Sequence, residues 1–330
     1  MKRYVIEQKL KSVAALLIIL LLLPYVVSVF VHGVDVSVDD EGGPFYVRVQ
    51  TEEEQSGPEE VNWTEYLAGI LAGEMPLDSP EEALKAQAVL IRTQIYASLA
   101  ESEDKILKEP YLSRDELEKQ WGAKDFDACY EKYVRAVEET DDTVLMYGES
   151  FAWTPFHQSS CGKTRSAQEV MGSGDCPYIA VRECPLDREA DDEIGVFRFT
   201  CREIQKLCRD FLVAEESTQA AEQGYTFSDF EILSSDSAGY VSRMRIGSTE
   251  CTGDQFRDAL SLPSSCFSFS QGGNGEDEIT ITTTGKGHGL GMSLWTARKM
   301  AEDGSTFEEI LSFFFEGTEL RTDMQETALF

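Results

Sequence analysis

Apolar positions along the chain fall into three patterns. The first is one run over residues 13–31, interrupted by Pro24, Tyr25 and Ser28. At about 1.5 Å per residue it reaches about 28 Å, enough for a hydrocarbon core. Lys2, Arg3, Lys9 and Lys11 precede it, and Asp35, Asp39, Asp40 and Glu41 follow. This asymmetry predicts a retained single-pass anchor, with residues 1–12 cytoplasmic and the rest outside. A cleaved leader is the alternative, but the run is long for one and Val29-Phe30-Val31-His32 offers no small-residue cleavage site.

The second pattern has helical spacing. Trp63, Leu67, Ile70 and Leu71 recur at helical intervals behind Asn62, with Glu65 at the capping-box position. Gly73 supplies a stop. Ser79, Pro80 and Glu82 start a second helix, whose stripe is Leu84, Ala88, Ile91, Ile95 and Leu99, with Lys85, Arg92 and Gln94 off it. Phe126, Cys129, Tyr133 and Val137 mark a further helix, and Ser305 to Glu308 opens the last one. The third pattern is alternation, read as strands over residues 143–147, 152–156, 240–246 and 279–284. Residues 32–57 alternate weakly and then turn acidic, which reads as a linker. The fold class is therefore α+β: an N-terminal transmembrane helix, then one large exported domain over residues 58–330, with a helical pair packed on a strand-rich remainder.

Charge narrows the partners. The chain has 330 residues, 29 Lys+Arg against 60 Asp+Glu, and a net charge of −31. Such a field repels polyphosphate, which argues against nucleic acid as a partner. With 42% hydrophobic residues the chain is not a disordered acidic tail.

Chemistry concentrates at three places. Gly73-Glu74-Met75-Pro76 puts a carboxyl group on a short connector between two packed helices. Partial desolvation there would raise its pKa and let it hold a proton near neutrality, whereas the plainer reading is one more surface acid. His157 and Cys161, with Cys176 and Cys184 close behind, offer an imidazole and thiolates to a tetrahedral metal such as zinc. Their spacing matches no zinc finger, and disulfide bonding, for instance Cys176 with Cys184, is an equal alternative. A third reading makes Cys161 a nucleophile with His157 as its base. Residues 285–293 (GKGHGLGMS) follow a strand and open a helix. A dinucleotide or P-loop site is rejected here, because no parallel strand follows and His288 sits mid-loop. His288, flanked by glycines, is expected to face a cleft.

Six stretches together resemble the stage II sporulation protein D family, which includes amidase-enhancer proteins. They are residues 71–76 (LAGEMP), 82–93 (EALKAQAVLIRT), 156–164 (FHQSSCGKT), 177–181 (PYIAV), 285–293 and 310–318 (ILSFFFEGT). The resemblance covers roughly residues 58–320. It implies a lytic transglycosylase acting on peptidoglycan glycan strands during spore engulfment, located in the cytoplasmic membrane, with Glu74 as acid and base. It further implies substrate contacts from Lys85, Arg92, His288 and Ser293, and a zinc ion held by His157 and Cys161 with Cys176 or else Cys184 as a further ligand, because some family members carry a His/Cys cluster. A cell-wall amidase and stage II sporulation proteins P and M are the implied partners. The family's Met-Ser-Gln-aromatic-Gly is here Met292-Ser293-Leu294-Trp295-Thr296, so any polar role of that Gln is lost. Two other functions compete: a non-catalytic enhancer of an amidase, and a zinc-dependent hydrolase.

Overall fold

Strand gives way to helix at Asn62. Its side chain accepts the Glu65 N–H at 3.1 Å and caps the first helix. The computed structural model describes residues 45–50, 57–124, 126–190, 193–212, 224–273 and 277–322. Strand β1 (Tyr46–Val49) pairs antiparallel with β2 (Glu59–Asn62), and Val47 and Val49 turn into the core. Part of the stretch read as a linker is therefore a core strand.

Helix α1 (Trp63–Glu74) leads into α2 (Glu81–Glu101), then α3 (Arg114–Trp121) and α4 (Phe126–Glu139). Helix α2 is the axis of the larger core. It packs against α1, α4, strand β3 (Val144–Tyr147) and, from far along the chain, α8 (Leu294–Glu302) and α9 (Phe307–Phe314). Two helix starts differ from the expected ones. Ser79 makes no cap; Pro80 takes that place, and Glu82 instead accepts from Lys85 and from the Phe307 N–H that opens α9. Thr306, not Ser305, caps α9 with Glu309.

Strand β4 (Ser150–Phe151) pairs with β3, whose other edge takes β13 (Glu319–Arg321). Strand β5 (Phe156–His157) pairs in parallel with β12 (Met292–Ser293), and this short join brings the His157 segment to the end of the glycine loop. The remaining elements build a second core. Strand β6 (Ile194–Thr200) lies beside β11 (Glu278–Thr284), which also pairs with β10 (Phe267–Gln271). Strands β7 (Phe230–Ser235), β8 (Val241–Ile246) and β9 (Thr249–Cys251) form a meander. Helices α6 (Cys201–Leu207) and α7 (Gly253–Leu260) cover them, after the short α5 (Ala167–Met171). Met244, Ile246, Phe256, Ile279 and Ile281 fill the space between.

The expected fold class needs correction. Among the described residues the architecture is mixed α/β, with five sheets of only two or three strands. The helical pair packs mainly on other helices, because α2 is apolar on nearly every side. The anchored, single-pass location is corrected as well: among the described residues no helix is long and apolar enough to cross a membrane. The longest, α2, carries Glu81, Glu82, Lys85, Arg92 and Glu101, charges that hydrocarbon tolerates poorly. Residues 1–44, including the run at 13–31, lie outside the described residues.

Candidate active site

Glu74 is the last residue of α1, one step earlier than a connector position. Gly73 continues the helix, and Met75 ends it with its N–H on Leu71 O. A helix C-terminus carries partial negative charge, which disfavours a second negative charge there. The side chain is half-buried, and desolvation pushes its pKa up to about 7, opposed by one hydrogen bond. That bond comes from Gln87 Nε2 on α2, at 2.7 Å from Oε2. The backbone around Glu74 is held separately. Tyr133 OH donates to Met75 O at 2.9 Å, and Lys132 Nζ donates to Leu77 O at 3.1 Å and to Ser79 O. Gln158 Nε2 reaches Glu74 O at 3.5 Å.

The neighbouring charges are already engaged. Asp78 binds Arg298 at 2.9 Å. Lys85 Nζ lies between Glu139 at 2.7 Å and Glu82 at 2.9 Å, so this expected substrate contact is occupied by acids other than Glu74. Arg92 is 1% exposed, and its guanidinium donates to Val137 O, Thr143 O and Thr140 Oγ1. It ties α4 and β3 to α2 and does not face the site.

The glycine loop lies against the 157–161 segment. Lys286 and Ser159 exchange backbone hydrogen bonds, and Trp295 N donates to Gln158 O at 3.0 Å. Gly287 has φ of +120°, and a Cβ there would run into His157 Cβ. His157 is buried, which drives its pKa down to about 3 and keeps it neutral. Its Nδ1 faces Leu290 O at 3.1 Å; a carbonyl can only accept, so Nδ1 carries the proton and Nε2 is bare. His288 uses Nδ1 to accept the Leu290 N–H at 3.0 Å, and burial with Arg257 and Arg165 nearby lowers its pKa. Ser293 is fully buried. It caps α8 and donates to Asp187 Oδ1 at 2.7 Å. Thus Glu74 and the His157–His288 region meet through Gln158, while Lys85, Arg92 and Ser293 serve the scaffold.

Zinc ligation requires three or four donors converging on one point. His157, Cys161 and Cys176 do not converge. The Cys161 thiol donates to Ala238 O at 3.2 Å and shares a hydrogen bond with Cys266, whereas Cys176 bonds to Tyr178. Among the described residues no group of three or more His, Cys, Asp or Glu side chains is placed to hold a metal. This donor set does not fit the ion, and Cys184, the other thiol considered, is fully buried beside Asp187.

The sequence patterns assign no site role to Gln87, Gln158, Tyr133, Asp187 or Arg165. Gln87 alone left a signal: it lies three residues after Leu84 and four before Ile91, a polar side chain on an apolar stripe.

Comparison with known proteins agrees with the motifs. A family model described as Stage II sporulation protein matches residues 51–147. The chain is similar to the stage II sporulation proteins D of Bacillus subtilis, at 27% identity over 274 residues, and of Bacillus amyloliquefaciens, at 28% over 273. Each of these alignments covers 79% of this chain and 75% of the relative. An uncharacterized protein of Brachyspira hyodysenteriae is 30% identical over 272 residues, 79% of this chain and 67% of that one.

Proposed function

Since the chain belongs to the stage II sporulation protein D family, we propose that it acts in sporulation as a lytic transglycosylase on peptidoglycan glycan strands, with Glu74 as the catalytic acid and base. The observation that carries this is a lone carboxyl group at a helix end, half-buried and hydrogen-bonded to a neutral amide, where burial pushes its pKa up to about 7.

Hydrolytic glycosidases need a second carboxyl group to activate water or to attack the sugar. Here Asp78 and Glu82, acids that follow Glu74 along the chain, have partners of their own, Arg298 for Asp78 and Lys85 and Phe307 N for Glu82. One group suffices for intramolecular transfer. Protonated Glu74 gives its proton to the glycosidic oxygen as the bond to the muramic C1 breaks. The carboxylate then takes the proton from that sugar's own 6-hydroxyl, and its oxygen closes on C1 to give a 1,6-anhydro ring. No water enters and the acid returns to its starting form. A pKa near the working pH serves both halves of this cycle, and general acid–base help of this kind contributes roughly 10²- to 10⁴-fold.

Glu74→Gln keeps the size and the bond to Gln87 but cannot carry the proton. Mass analysis of digested glycan should then show anhydro-muramic ends reduced by about 10²-fold or more. An unchanged yield would remove the enzymatic reading and leave a docking role toward a cell-wall amidase.

A further inference from the structure

Three groups grip the backbone around Glu74, but its carboxyl group is gripped by Gln87. That glutamine has no exposed surface. Its Nε2 lies 2.7 Å from Glu74 Oε2, and its Oε1 is buried without a hydrogen-bond partner. An apolar residue would fill this stripe position of α2 without leaving a carbonyl oxygen unsatisfied, which is a cost in stability. While Glu74 is ionised the amide keeps this orientation, because turning it over would set a carbonyl oxygen against a carboxylate oxygen, lone pair against lone pair.

We propose that Gln87 is the positioning residue of the site: its amide nitrogen fixes Oε2 of Glu74 and so reserves Oε1 as the oxygen that gives up and retakes the proton. This rests on the catalytic reading of Glu74. The same bond persists in both protonation states but is stronger to the carboxylate, since a charged acceptor binds an N–H more tightly. It therefore counteracts the desolvation that favours the protonated acid. Without the donor, Glu74 would still donate its proton but would be slow to take one back, and the carboxyl plane would be free to turn.

The test compares the full chain with Gln87→Met, which keeps the bulk and removes the donor. Two readouts are needed: the Glu74 titration by carboxyl carbon NMR, and the pH dependence of anhydro-end formation. The titration midpoint should rise, the alkaline limb of the pH profile should rise with it, and turnover should fall by about 10- to 100-fold. Gln87→Asn withdraws the amide by one methylene; it should shift both in the same direction, and serves if the Met variant does not fold. A folded variant whose midpoint and pH limb stay in place, whatever its turnover, overturns the inference. If Glu74→Gln leaves cleavage intact while the midpoint still moves in Gln87→Met, the transglycosylase reading fails and the proton placement stands.

Discussion

Glu74 and Arg165 are both ionisable groups withdrawn from water, and the two cores treat them in opposite ways. In the strand-rich part Arg165 is paired with two carboxylates. Its Nε donates to Asp236 at 2.7 Å, its Nη1 to Asp254 at 3.0 Å and to His288 O at 3.2 Å, and its guanidinium lies 4.9 Å over the Tyr240 ring. Its backbone N–H donates to Gly289 O. The side chain thus welds the glycine loop to the meander. In the helical part Glu74 is withdrawn from water and given one neutral donor and no cation. A buried charge with its partners in place becomes costly once one partner is removed; an uncompensated one keeps its chemistry available. His288 shares the first condition more than the second, since its Nδ1 is committed to Leu290 N.

The contrast can be broken most forcefully at Arg165. Arg165→Met strands Asp236 and Asp254 without their partner, and should cost about 3–5 kcal/mol in chemical unfolding. A loss near zero would mean that the strand-rich part does not depend on this compensation. The opposite sign is expected at Glu74. Its pKa is raised from 4.5 in the unfolded chain to about 7 in the fold, so the folded state holds the proton more tightly. The penalty is absent below pH 4.5, grows between 4.5 and 7, and is complete above. Glu74→Gln should therefore be more stable than the parent by up to about 3 kcal/mol at pH 8, with no difference at pH 4. Thermal melts at the two pH values check this; a variant less stable at pH 8 would show that the carboxylate is well compensated after all.

Much of this was legible from local pattern. The Asn62 cap, the α2 stripe and the β11 strand follow from spacing, because they depend on neighbours in sequence. What spacing cannot supply is the identity of distant neighbours. Spacing puts Arg92 off the stripe and the resemblance makes it a substrate contact, but α4, α8 and α9 enclose α2 and bury it. Cys161 was grouped with His157 and Cys176 by proximity in sequence, yet folding sets its sulfur against Cys266, more than a hundred positions away. Spacing puts Glu74 on a connector, since a glycine at 73 signals a stop, but the helix runs one residue past it and puts the acid on its final turn. Its partner Gln87 was visible only as an anomaly, a polar group where the pattern calls for an apolar one.

Acid–base chemistry at this site depends on the proton that Glu74 holds near neutrality. Selective carbon labelling of glutamate, with the Glu74 resonance assigned by its loss in Glu74→Gln, gives that titration directly. A midpoint near 7 is expected. A midpoint close to the ordinary glutamate value of about 4.3 would mean an acid already ionised at working pH, and would contradict the account at its base.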